Sequence, residues 1–423
     1  FGERLTRSLV ALKELLHRPG FGKGPQSIGA EMELSIIDAK GTALPINRAV
    51  LNECVNDQLQ LELDRFNLEY NLTPVLLAGR PFSNLENQLG NALALLERGA
   101  NSLGGRIVPI GILPTLRINE LDSSVMSDLP RYRALSAGLR RLKKGPFKIH
   151  IDGVEPLSVP CQDVTLEGAT TSFQVHLRVD PDTFASIYNA AQLATPVVLA
   201  LGANSPTFLG QRLWDETRVA LFKQAIDSRQ VHEQDWQPPA RASFGFGWIR
   251  KGAYELFAEA VGLFLPLLPE LGDEDPLDCL ARGQLPKLEE LRLHQGTVWR
   301  WNRAIYDAND DGHLRIELRA LPSGPTPIDM VASAAFFIGL TLGLSRKIDG
   351  LLPHFPFDYA HRNFYRAARY GVDATLLWPT SEAGGPQEMS VCLLADSLLP
   401  IAEEGLCGAG VYQKQHDGLF RVI

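Results

Sequence analysis

The sequence predicts an α+β fold in which one antiparallel sheet curves around a cleft, with helices beside it. Two observations carry this. Four separate segments alternate apolar and polar residues with period two, the signature of a half-buried strand. Between them run longer stretches whose apolar residues recur every three or four positions, as in helices that pack by one face. The polar positions of the four strands are chemically selective: Glu31 and Glu33; Glu69 and Asn71; Gln174, His176 and Arg178; Arg315, Glu317 and Arg319.

The bulk composition narrows the classes. The chain has 423 residues, 45% hydrophobic and 21% charged, enough to bury a sizeable core. A net charge of −8 disfavours broad contact with nucleic acid or an anionic membrane. No apolar run reaches the length of a membrane span; Val197–Leu201 and Phe336–Leu344 are short and continue helical patterns. The cysteines (Cys54, Cys161, Cys279, Cys392 and Cys407) are scattered, with no Cys-x-x-Cys spacing. That pattern fits reduced thiols and a cytoplasmic setting better than a disulfide framework or structural zinc. The first residues, Phe1–Arg4, show no signal-peptide layout and no Met.

Taken in order, the chain opens with an amphipathic helix over Arg4–His17, ended by Pro19 and Gly20. Ile28–Leu34 follows as a strand with Met32 and Leu34 on one face and Glu31 and Glu33 on the other. Such a pair, taken alone, is most simply a solvated face. Leu61–Pro74 holds a second strand, with Glu69 and Asn71 on its polar face and Glu62 on an adjoining strand or turn. Ser83–Leu96 reads as a helix with a Ser83/Glu86 capping box, which after two strands fits an α/β or α+β layer. Arg106–Leu113 reads as a buried strand. Pro130–Lys144, rich in Arg and Lys, is a solvated helix face or an edge that binds phosphate or carboxylate.

Thr171–Val179 is the third alternating strand. Asp180 and Pro181 then start a helix that Pro196 interrupts, and Gly202–Pro206 is a sharp break. Helices follow at Trp214–Ile226 and Tyr254–Leu265, and Gly272–Leu285 reads as an acidic surface insertion. Leu293–Arg303 places Trp299 and Trp301 among arginines, either as packed cation–π pairs or as the lining of a nucleotide cleft. Leu314–Leu321 is the fourth alternating strand. Thr326 and Pro327 start a helix through Leu344. Residues 1–350 are expected to form the catalytic domain. Residues 351–423, read as helix and loop, form an extension packed on it.

Glutamates with a His or Gln suit Mg²⁺ or Mn²⁺, and interleaved arginines suit phosphate or carboxylate. Together they point to nucleotide phosphate chemistry. No Gly-x-x-x-x-Gly-Lys-Ser/Thr loop and no kinase signature is present, so metal ions and arginines would have to handle the phosphates of ATP.

The order of these residues resembles the glutamate–cysteine ligases, a carboxylate–amine ligase group related to glutamine synthetase. The resemblance rests on Gly29–Glu33, Glu69 before Thr73–Pro74, Gln174–His176, Ala203–Pro206 with Arg218, and Arg315–Arg319. Arg131–Tyr132 and Phe244–Phe246 add to it, and it covers roughly residues 28–345. It implies a large curved antiparallel sheet and two or three Mg²⁺ ions between ATP and that sheet. Glu31, Glu33, Glu69 and Glu317 would be metal ligands, with Glu62 a weaker match. Gln174, His176, Arg178, Arg315 and Arg319 would face the nucleotide and its metals. Arg319 and Arg218 would contact phosphates or substrate. Gln174 stands where many bacterial members carry His, which leaves open whether Gln174 or His176 approaches metal. The implied reaction joins glutamate to cysteine through an acyl phosphate. The alternatives are a different amine, a non-catalytic binding relative, and a metal-dependent hydrolase.

Overall fold

In this computed structural model, which describes residues 1–143, 145–229, 238–380 and 385–422, eight strands form one curved antiparallel sheet. They are β1 (Ser27–Ile37), β2 (Leu59–Leu61), β3 (Asn67–Asn71), β4 (Val75–Leu76), β5 (Arg106–Val108), β6 (Phe173–Val179), β7 (Asn302–Asp307) and β8 (His313–Leu318). The order across the sheet is β7–β8–β6–β1–β3–β2, and β4 and β5 pair with the two ends of β1.

Alternation sets the faces of β1, β3, β6 and β8, as the sequence predicts. Ile28, Met32 and Leu34 of β1 are fully buried, as are Val175 and Leu177 of β6 and Ile316 and Leu318 of β8. They share one core with the helices Pro81–Ser102, Phe184–Gly202 and Pro327–Ser345. The last two are long and apolar enough to cross a membrane by length and composition, yet most of each is buried inside the protein. Pro196 lies within the first of these without breaking it; the surrounding core holds the helix against the missing N–H.

Several local expectations are corrected. The Ser83/Glu86 capping box does not form, because Pro81 starts the helix two residues earlier. Ser83 instead exchanges hydrogen bonds with the side chain of Gln415, far along the chain. The strand expected over Arg106–Leu113 stops at Val108, before Pro109, and is only partly buried. The Gly272–Leu285 stretch is no loose insertion. It carries the helix Pro276–Ala281, capped by Asp275, whose carboxylate also binds Arg7 of the first helix. The basic stretch from Pro130 is a helix to Leu142, and Lys144 lies outside the described residues.

The C-terminal residues, read as helix and loop, also hold a small antiparallel sheet, Thr375–Trp378 with Gln387–Ser390. Their helix Val391–Gly408 packs so closely on Pro327–Ser345 that a Cβ at Gly405 would lie 2.0 Å from the Gly339 carbonyl oxygen. Gly405→Ala should therefore force the two helices apart and cost about 1–3 kcal/mol. A thermal melt several degrees below wild type is the expected readout; an unchanged melt would show that the helices separate freely.

Candidate active site

The register of the sheet decides which polar side chains meet. Glu33 on β1 lies opposite Glu69 on β3, and Glu31 lies between Asn71 and Gln174. His176 on β6 lies opposite Glu317 on β8, and Glu317 opposite Arg303 on β7. Glu62 joins from the loop after β2. Two donor sets result. In the first, the ligand atoms of Glu31, His176 and Glu317 all lie within 4.8 Å of one another; in the second, so do those of Glu33, Glu62 and Glu69.

Both sets fit a divalent ion. His176 Nε2 is 2.9 Å from Glu31 Oε1 and 3.8 Å from Glu317 Oε1, yet it is buried without an aligned hydrogen-bond partner. A buried nitrogen aimed at two carboxylates is a suitable donor for a cation. An octahedral ion with ligands at about 2.1 Å spaces them about 3–4 Å apart, within reach of either set. Of the two residues the sequence left open, His176 belongs to a donor set. Gln174 instead donates to Glu33 Oε1 (2.8 Å) and accepts from Arg319 Nη1 (2.5 Å).

The two sets differ electrostatically. Burial alone would push Glu317 up, but Arg303, Arg319 and His176 outweigh it and hold this carboxyl far below the usual range. Arg303 binds both Glu317 oxygens, at 2.6 and 2.9 Å, and Arg319 Nη1 donates to Oε2 at 3.0 Å. For Glu31, burial is likewise outweighed by His176, and its pKa is lowered. The second set lacks such support. Burial and Glu69 push Glu33 up to about 7; burial, Glu69 and Glu33 push Glu62 well above the carboxylate range. Glu69 is raised as well, by burial and Glu31.

A cavity lies at each end of this face. One, of about 310 Å³, is lined by Glu31, His176, Arg178, Asp307, His313 and Arg315 among others. Arg178 and Arg315 are direct cross-strand partners, a repulsive placement for like charges. Asp307 takes Arg315 (2.7 Å), whereas Arg178 has no carboxylate partner among the described residues, and Nε of each arginine is buried without an acceptor. This end suits a polyanion. The other cavity, of about 50 Å³, is lined by Glu33, Glu62, Glu167, Arg218, Arg319 and the wall Trp299–Arg300–Trp301, together with Phe222. Arg218 is buried there, its guanidinium held by Glu216 (2.5 Å) and the Ala320 carbonyl (2.6 Å). Arg300 sits over Phe246, and not over either tryptophan.

The structure thus gathers all eleven residues expected at the site on one side of the sheet. It adds three that sequence reasoning did not select. Arg303 was readable, since it alternates along β7 as Glu317 does along β8. Arg131 belongs to the basic stretch expected to be a solvated face or an anion-binding edge; its guanidinium lies near Glu62 and Glu69 and donates to the Leu61 carbonyl (3.0 Å). Glu167 sits on the single turn Thr165–Gly168, which has no periodicity to read.

Over residues 27–390 the sequence matches glutamate–cysteine ligase family 2 (GCS2), and the chain belongs to that family. Its class is therefore that of the ATP-dependent ligases that join a carboxylate to an amine. Solved structures agree in fold. A glutamate–cysteine ligase from Francisella tularensis in complex with AMP is 12% identical, with a TM-score of 0.57, over 95% of this chain and 82% of that one. A bifunctional glutathione synthetase from Pasteurella multocida is 10% identical, with a TM-score of 0.52, over 98% of this chain and 47% of the other. No curated protein matches by sequence.

The raised carboxyls predict how metal binding responds to pH. A group with a pKa near 7 is mostly protonated at pH 6 and mostly ionised at pH 8, so a bound ion must displace a proton at the lower pH. Mn²⁺ affinity, measured calorimetrically, should rise by about tenfold or more across this range, with protons released to the buffer at pH 6. Equal affinity at both pH values would mean that Glu33 does not meet the ion.

Proposed function

We propose that the protein is an ATP- and Mg²⁺-dependent glutamate–cysteine ligase that forms γ-glutamylcysteine through γ-glutamyl phosphate. The observation that carries this is the pair of donor sets on one sheet face, with an arginine-lined cavity at either end. ATP enters the larger cavity, where Arg178 and Arg315 bind its phosphates. Glutamate presents its γ-carboxylate beside the Glu33 set, in the direction of Arg218.

A carboxylate is a poor acyl donor because its oxygen leaves badly. Transfer of the γ-phosphoryl group to it supplies a leaving group, and the amine then attacks the carbonyl and expels phosphate. Mg²⁺ bound by Glu31, His176 and Glu317, and by Glu33, Glu62 and Glu69, would neutralise charge between two anionic reactants. Arg319 lies between the sets, bonded to Glu317 on one side and through Gln174 to Glu33 on the other. From there it stabilises charge on the transferred phosphoryl group. Gln174 keeps Arg319 and Glu33 in fixed relation while both face the reactants.

Purified protein given ATP, Mg²⁺ and glutamate should release ADP in response to cysteine, with γ-glutamylcysteine seen by mass spectrometry. ADP release that ignores every amine in a panel would sink the ligase reading. Two carboxylate variants sharpen it. Glu69→Gln removes a charge that its neighbours oppose, so thermal stability should hold or rise while turnover falls by about 10²-fold or more. Glu317→Gln should lose both, because Arg303 and Arg319 are left buried without their carboxylate. Arg178→Gln should raise KM for ATP about tenfold and leave KM for glutamate unchanged, since it removes one charge-assisted contact.

A further inference from the structure

We propose that Glu167 binds the ammonium group of the amine co-substrate, which makes the small cavity beside the Glu33 set the amine subsite. This rests on the ligase reading and adds a residue to it. Glu167 is half-buried and lines the cavity together with Glu33 and Glu62. It stands outside both metal donor sets. Among the described residues no side chain or backbone N–H donates to its carboxylate.

The chain fixes Glu167 rigidly. Asp163 Oδ1 accepts from the Thr165 backbone N–H (3.0 Å) and hydroxyl (2.6 Å), which starts the turn. The Thr170 hydroxyl donates to the Glu167 carbonyl (2.8 Å), and Asn67 Nδ2 to that of Gly168 (2.7 Å). Gly168 in turn lies flat on buried Asp64; a Cβ there would come within 2.6 Å of the Asp64 carboxyl carbon. A carboxylate carried on a turn held so firmly, and left without a partner, is arranged for a ligand.

The surroundings select a cation. A half-buried carboxyl with no donor is satisfied by a cationic N–H group placed against it. The rings of Phe222, Trp299 and Trp301 line the same cavity, and aromatic faces attract ammonium groups. Arg218 lines the same cavity, so an amine held at Glu167 lies beside the carboxylate that Arg218 draws in.

The test separates the two half-reactions. With ATP labelled by ¹⁸O at the β,γ-bridge, Mg²⁺ and glutamate alone, scrambling of the label reports acyl phosphate formation. Amide formation with cysteine reports the second step. Glu167→Gln is expected to raise KM for cysteine about tenfold or more, by a clearly larger factor than it slows scrambling. Glu167→Asp, which keeps the charge but withdraws it by one methylene, should fall between, and it serves as the readout should Glu167→Gln fail to fold. An unchanged KM for cysteine overturns the assignment, as does a rise confined to the KM for glutamate or to the Mg²⁺ requirement. Wild-type protein that neither scrambles label nor forms amide would instead remove the ligase reading beneath it.

Discussion

Glu317 is bonded in two directions along the sheet. Arg303 of the neighbouring strand takes both of its oxygens, and Arg319, two residues on, takes one and passes the link through Gln174 to Glu33. His176, on the other neighbouring strand, adds its ring nitrogen at 3.8 Å. The rest of the site depends on this arrangement. Five carboxylates on one face repel one another, and only the first of the two donor sets carries enough positive charge nearby to stay ionised unaided. The second set is kept close by the backbone register and the core beneath it. Its raised pKa values reflect a geometry imposed before any ion arrives.

Much of that face was legible because strand periodicity is exact. Once Met32 and Leu34 are buried, Glu31 and Glu33 have nowhere to point but away from the core, and the same holds for Ile316 and Leu318 around Glu317. What period two cannot supply is register. Nothing local distinguishes Glu33 opposite Glu69 from a pairing shifted by two residues, so the composition of each donor set emerged only from the pairing. Residues carried by irregular segments were harder still. Glu167 lies on one turn fixed by Asp163 and Gly168. Arg131 belongs to a helix rich in basic residues, and nothing local marks the one that turns toward Glu62 and Glu69.

Local chemistry misled where tertiary contacts override it. Ser83 and Glu86 have capping-box spacing, but Pro81 is better placed to begin the helix and Gln415 occupies the serine. Pro196 ought to break a helix, yet a helix buried on nearly every side is held by its neighbours more than by its own hydrogen bonds. The acidic Gly272–Leu285 stretch looked solvated because its partner, Arg7, is remote in sequence.

The order of strands also bears on how the molecule is assembled during synthesis. β1 precedes every other strand of the sheet and occupies its middle. It gains β3 about thirty residues later, but its other long neighbour, β6, comes roughly 140 residues on, and β8 follows after a further 140. Until β6 is made one edge of β1 stays open, and until β7 and β8 follow the acidic face lacks Arg303 and Arg319. Folding is therefore dominated by distant contacts, and such folds are slow to complete. The nascent chain carries an exposed strand edge and uncompensated negative charge until those segments have been made. That charge also disfavours pairing with another copy, so the carboxylates of the mature site restrain aggregation of the unfinished one.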